Sequence, residues 1–251
     1  MNPDPSLESI NLPPDMDADT PEAAQEPYIA RLSQIDASDM QCRADTARQA
    51  GTICWTTDEY RSSPHGQANS HVGLFEIHAH HDHQNQRACW WPSSPQTSPA
   101  RPLAGLKVVD LTRVIAAPAI TRGLAELGAS VMRVTAGHLT DMSMLHCDLN
   151  WGKWNCHLDL REEGDRGRLM ALIKEADVVV NGYRPHVLDK WGFGEDDVLE
   201  MCKTRDRGVV YARENCYGWQ GPWAGRSGWQ QISDAVGPLF YPLPPNTHLP
   251  R

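Results

Sequence analysis

Leu106-Lys107-Val108-Val109-Asp110-Leu111 opens the stretch whose reading decides the fold, and Ser130-Val131-Met132-Arg133-Val134 closes it. Each run is short and rich in β-branched residues, the pattern of a buried strand. Between them, Ala119 to Leu127 has helical apolar spacing, with Ile120, Leu124 and Leu127 predicted on one face. Pro118 suits the start of that helix and Gly128 its C-terminal cap. Strand, helix and strand in this order predict a right-handed parallel crossover.

The alternation continues downstream. Asn155 to Leu160 predicts a strand, and Asp165 to Ala176 a helix with Leu169, Leu172, Ile173 and Ala176 on its apolar side. Val178-Val179-Val180 is a further strand, His186 to Trp191 begins a helical segment, and Gly208 to Ala212 is the last clear strand. Such alternation predicts an α/β fold with a largely parallel sheet. No internal repeat is present.

Upstream the composition changes. Residues 1–40 hold nine acidic residues and one basic residue, Arg31, with proline at positions 3, 5, 13, 14, 21 and 27. This composition predicts a disordered acidic tail, because it offers little apolar surface to offset chain entropy. Residues 41–101 form an N-terminal extension ending in a Pro/Ser-rich linker from 92. Cys54-Trp55-Thr56 and Val72 to Ile77 are candidate strands there, with Pro64-His65-Gly66 as a turn. Trp90-Trp91-Pro92 is expected to pack against the main domain. The last stretch, 237–251, is a Pro-rich tail.

The formal net charge of −9 argues against a general nucleic-acid binder, while leaving room for a local basic pocket. No apolar run reaches the roughly 18 residues of a membrane span, so no membrane partner is expected. No signal-peptide pattern opens the chain, which makes the cytoplasm the expected compartment, with an organelle still open. Seven cysteines lack CxxC spacing and read as reduced thiols. His78, His80, His81 and His83 lie close together but are flanked by loop-like polar residues, so solvent exposure is favoured over a site and no metal is expected.

No GxGxxG, Walker A or GxSxG motif is present, so dinucleotide, ATP and serine-hydrolase readings lack their signatures. Ligands of open α/β sheets nevertheless bind beyond the carboxyl ends of the strands. Arg113 sits just past the first strand, and Asn181-Gly182-Tyr183-Arg184-Pro185 just past a later one. An aromatic ring and a guanidinium in a compact loop can stack on a base and pair with a phosphate.

Several segments in sequence resemble the family III coenzyme A transferases (the CaiB/BaiF group). They are Pro102 to Thr112, Ala117-Pro118, Leu124 to Ala129, Val131 to Val134, Asn150-Trp151-Gly152-Lys153, Leu158-Asp159-Leu160, Ala176 to Pro185 and Trp191 to Gly194. Tyr217-Gly218, Gly221-Pro222 and Arg226 to Trp229 continue the likeness. The resemblance covers the N-terminal part of the family domain, taken as residues 102–236. It implies a Rossmann-like half with helices on both faces of the sheet, often in an interlocked homodimer. It further implies that coenzyme A lies against the first strand–helix turn and the Asn181–Pro185 loop. Val114, Ile115, Ala116, Gly182, Tyr183 and Arg184 would then lie near it, together with Arg113, and Arg133 and Lys153 would meet its phosphates.

The implied reaction moves CoA between an acyl-CoA and a carboxylate acceptor. Two departures matter. The loop's usual Asn-Phe is Gly182-Tyr183, which removes one side-chain amide. Where racemases of the family carry a His-Asp pair, Trp229-Gln230 stands, and neither can take an α-proton at neutral pH. The transferases' nucleophilic Asp lies beyond the matched segment, and Asp234 reads as an ordinary helix residue. The expectation is therefore that these residues alone are inactive. The alternative reading is a non-catalytic CoA-binding or dimerising pseudoenzyme.

Overall fold

The computed structural model describes residues 4–14, 16, 18–80, 86 and 90–236. The Pro-rich tail lies outside them, as do His81 and His83. In chain order the elements are α1 (Asp4–Ser9), α2 (Pro21–Leu32), α3 (Ala37–Thr46), α4 (Thr57–Ser62) and α5 (Pro64–Ala68), then β1 (Lys107–Leu111) and α6 (Ala116–Glu126). They continue with β2 (Ser130–Thr135), α7 (His146–Leu149), β3 (Lys153–His157), α8 (Glu163–Glu175), β4 (Val178–Asn181), α9 (Glu195–Cys202), β5 (Val210–Arg213) and α10 (Gln230–Val236). The chain divides into two compact units, one from Ile77 to Asn215 and one combining Asn2–Glu76 with Cys216–Arg251.

The sheet unit has five parallel strands in the order β3-β2-β1-β4-β5. Alternation along β1 divides its side chains between two layers. Val109 and Leu111 join Val179, Leu169 and Ile173 of α8, and Val198 and Cys202 of α9 in one cluster. Val108 joins Val131 and Val180 in the other, with Leu124 and Ala125 of α6 packed on it. Helices thus cover both faces, as the resemblance implied. Leu169, Ile173 and Val179 are fully buried, each such side chain contributing about 1.5–3 kcal/mol.

The apolar face of α6 differs from the sequence reading. Ala117, Pro118 and Thr121 are its buried residues, whereas Ile120 and Leu127 are each 46% exposed. Thr121 faces inward because a buried carboxylate, Asp110, accepts its hydroxyl at 2.6 Å. Gly128 does end the helix, at φ +103°, a conformation that favours glycine. Trp91 packs on the α6-side cluster and its Nε1–H donates to the Ala104 carbonyl at 3.1 Å, while Trp90 is exposed.

The stretch expected to be disordered, residues 1–40, carries α1, α2 and the first four residues of α3. Composition registered its charge but not its local signals. The Thr20 hydroxyl accepts from the Ala23 N–H at 3.1 Å, Pro21 occupies the first turn of α2, and Leu7, Ile10 and Ala44 are buried. Pro64-His65-Gly66, read as a turn, is the start of α5, capped by the Ser63 hydroxyl. The candidate strands at 54–56 and 72–77 are not strands: the Trp55 N–H bonds to the Ala235 carbonyl, and Leu74 is fully exposed.

Residues 216–236, the last part of the family-like segment 102–236, cluster with these N-terminal helices. Aromatic packing explains the return. His65 stacks on Trp223 with ring centroids 4.6 Å apart, and Tyr60, Tyr217 and Trp55 complete the group. His65 Nε2 lies 3.0 Å from the Tyr217 carbonyl, and its Nδ1 accepts from the Trp223 N–H at 3.3 Å. Arg226 pairs with Asp45 at 2.8 Å and lies over the Tyr217 and Trp223 rings. A Cβ on Gly221 would approach His65 Nδ1 to 2.8 Å, so only glycine permits this contact.

Candidate functional site

A cavity of about 440 Å³ opens at the carboxyl ends of β1, β2, β3 and β4, within the size range of small-molecule sites. Thr112 and Arg113 follow β1, Arg133 to Thr135 end β2, Asn155 and His157 lie on β3, and Tyr183 follows β4. Leu139, Asp141, His146 and Asn150, from the connection between β2 and β3, complete the wall.

Backbone pairing places Tyr183. Asn181 ends β4, its Oδ1 accepts from the Tyr183 N–H at 2.9 Å, and its Nδ2 donates to Tyr211 Oη at 3.0 Å. Tyr211 in turn donates to the Phe193 carbonyl at 3.0 Å, and burial pushes its pKa up to about 12. Burial also raises the Tyr183 phenol above its ordinary value, so the ring enters the cavity neutral at physiological pH.

The first turn is fixed from beneath. Lys153 and Asp110 are fully buried, with Nζ 2.9 Å from Oδ2. Lys153 also donates to the Pro118 carbonyl at 2.9 Å and to Thr121 Oγ1 at 2.7 Å, and Thr112 donates to the same carboxylate. These bonds join β1, β3 and the first turn of α6. Desolvation lowers the Lys153 pKa, and Asp110 opposes that shift. Between the strand and the helix, Val114 has φ +74°, rare for a β-branched residue and held here by its anchored neighbours.

The cavity bears two guanidiniums. Arg133 is almost fully buried and pairs with Asp141, whose Oδ2 lies 3.1 Å from His146 Nε2. Burial opposes ionisation of Asp141, but the Met142 N–H, Arg133 and His146 together hold its pKa below the usual range. Arg113 donates to the Thr140 carbonyl. The Asn150 Oδ1 is buried and has no hydrogen-bond partner among the described residues.

Of the residues singled out in the sequence, Arg113, Arg133 and Tyr183 therefore meet in one cavity. Gly182 lies behind it. A Cβ there would come within 2.5 Å of Ala117 Cβ, so the position suits glycine. Val114, Ile115 and Ala116 form the turn beside it without lining it, and Ile115 is 53% exposed. Arg184 is exposed and does not line the cavity. Lys153, expected at a phosphate, is instead sealed in the interior by its three bonds. Asp141, His146, Asn155 and His157 were missed. Asp141 lies in an irregular connection and His146 opens the short α7, neither with a periodic pattern, whereas Asn155 and His157 alternate along β3.

Six described cysteines are free thiols, and no cluster of three metal-ligating side chains occurs among the described residues. His80 contacts Glu195 at 3.0 Å. No described helix is long and apolar enough to cross a membrane.

Comparison with known proteins gives the geometry its context. Over 239 residues the chain is 54% identical to the acetyl-coenzyme A transferase nodX of Hypoxylon pulicicidum, a match covering 94% of this chain and 40% of that protein. It is 35% identical to an acyl-CoA transferase of Gibberella moniliformis, covering 98% of this chain and 43% of the relative. The chain thus spans well under half the length of either protein, and the likeness extends through the N-terminal helices. Among solved structures, the orthorhombic form of Rv3272 from M. tuberculosis matches with a TM-score of 0.52 and 28% identity, over 61% of this chain and 44% of the other. The family model described as CoA-transferase family III matches residues 103–243, and the chain belongs to that family.

Proposed function

We propose that this chain forms the CoA-binding part of a transferase that moves coenzyme A between an acyl-CoA and a carboxylate. The observation that carries the reading is the cavity at the strand ends, where Arg113, Arg133 and Tyr183 converge with an unpartnered Asn150 acceptor. Those groups fit a phosphorylated nucleotide. Two guanidiniums match phosphate oxygens, a neutral phenol supplies a stacking surface, and a lone amide oxygen suits an exocyclic N–H. The residues bind and orient the nucleotide end of CoA, leaving the thioester arm to extend beyond the cavity.

Transfer requires a carboxylate that attacks the thioester carbonyl, releases the CoA thiolate and holds the acyl group as an anhydride. The thiolate then attacks the enzyme-side carbonyl of that anhydride, which releases the donor carboxylate and leaves the enzyme carboxylate as a CoA thioester for the acceptor. Asp141 is the one carboxylate lining the cavity among the described residues, and it lies at the end assigned to the nucleotide, away from the thioester. The 251 residues alone are accordingly expected to bind CoA without turning it over. Calorimetry with CoA, alongside an acetyl-CoA transfer assay against a panel of carboxylates, tests both halves. Saturable CoA binding without transfer is expected. Failure to bind CoA would remove the reading, and turnover by these residues would place a nucleophile among them.

A further inference from the structure

The connection after β2 crosses the cavity as a strap with three side-chain anchors. His138 Nδ1 lies 3.3 Å from Asp159 Oδ2, Arg113 holds the Thr140 carbonyl, and Asp141 pairs with Arg133. Both guanidiniums at the strand ends are thus engaged by consecutive strap residues. Arg133 is the more telling of the two. Its side chain is only 6% exposed, whereas Asp141 is 20% exposed and lines the cavity. An anion entering the cavity meets the carboxylate before it reaches the full face of the guanidinium.

We propose that the strap is self-inhibitory: Asp141 occupies on Arg133 the position that a ligand phosphate needs, and must swing away for an anion to bind tightly. This rests on the proposed CoA site but goes beyond it, since it assigns Asp141 the regulation of that site. A carboxylate and a phosphate present the same oxygen chemistry to a guanidinium, so each can substitute for the other. Apparent affinity is then reduced by the fraction of molecules in which the strap has released Arg133. His146 Nε2, 3.1 Å from Asp141 Oδ2 and 3.2 Å from the Arg133 guanidinium, lies where it can retain the displaced carboxylate.

The test is calorimetric, on the full chain. CoA, inorganic pyrophosphate and pantetheine are titrated into wild type, Asp141→Asn and His138→Ala. Asparagine keeps the shape and a neutral hydrogen bond but removes the competing charge, so CoA and pyrophosphate should bind about tenfold more tightly. Pantetheine lacks phosphates and should not change. His138→Ala loosens the strap without touching Arg133 and should tighten the anions in the same direction. Circular dichroism confirms that each variant is folded, and His138→Ala keeps the test open should Asp141→Asn unfold. If wild type binds CoA and both folded variants bind it equally or more weakly, the strap proposal is overturned and the CoA site stands. If no form binds CoA or pyrophosphate, both fail.

Discussion

Replacing Lys153 by methionine leaves Asp110 as a fully buried carboxylate with hydroxyl partners only, from Thr112 and Thr121. Methionine fills similar volume, so the loss is electrostatic rather than a cavity. Breaking a buried pair by removing one partner typically costs about 3–5 kcal/mol. Against a usual total of about 5–15 kcal/mol, that is a large share of the sheet unit's stability. Removing both charges, as Asp110→Leu with Lys153→Met, should recover most of the loss, because the remaining cost is the acceptor withdrawn from two threonines. Urea unfolding followed by circular dichroism gives the size, and amide exchange at Val109 and Leu111 shows that the loss belongs to the sheet unit. An interior strut and a ligand-facing lysine differ cleanly here. If Lys153→Met changed stability by less than about 0.5 kcal/mol, as surface substitutions usually do, while abolishing CoA binding, the interior placement of Lys153 would be refuted.

Other outcomes follow from the same geometry. Arg133→Met should weaken CoA binding by about 1.5–3 kcal/mol, the range for a hydrogen bond to a charged group. Exposed Arg184→Ala should change it by less than about 0.5 kcal/mol, and calorimetry ranks the two. Gly182→Ala drives a Cβ into Ala117 and should cost about 1–3 kcal/mol of stability by overpacking, measurable in urea. His65 is buried and its pKa lies below the ordinary value, chiefly through desolvation; the bond to the Tyr217 carbonyl opposes that shift and the Arg226 charge adds to it. Its ring neighbours Tyr60, Tyr217 and Trp223 carry no carboxylate to receive a new cation, and Asp45 is engaged by Arg226. The unfolded chain binds this proton first, so stability of the helical unit should be constant above about pH 6.5 and fall below it, by at most about 1.4 kcal/mol per pH unit. Thermal melts from pH 8 to pH 5 should show the slope, and His65→Gln should remove it.

The centre of the sheet was legible because β1 and β4 are buried on both faces and read as unbroken β-branched runs. Val108-Val109 and Val178-Val179-Val180 have no other plausible environment. The α6 face was misread because the sequence offers Ile120 and Leu127 as core residues, whereas a buried Asp110–Lys153 pair draws Thr121 inward instead. A polar network in an interior has no periodic signature, and the same network removed Lys153 from the site. Strand-end logic placed Arg113 and Tyr183 at the carboxyl edge of the sheet, and the family resemblance added Arg133; all three line the cavity. Asp141 and His146 depend on how an irregular connection folds back over β2, which no local pattern records. That residues 216–236 cluster with the N-terminal helices was not legible for a related reason. Their contacts with His65 and Asp45 span more than 150 positions and are aromatic and ionic rather than periodic.

The most direct measurement is an amide chemical-shift map of the full chain titrated with CoA. Shifts confined to Thr112 through Ala116, Arg133 through Thr135, Asp141, Asn150 and Tyr183, with the Trp55–His65–Trp223 group unmoved, are the expected result. Saturating CoA that leaves those strand-end amides unchanged, or that moves residues elsewhere in their place, would contradict a coenzyme site at the carboxyl edge of this sheet.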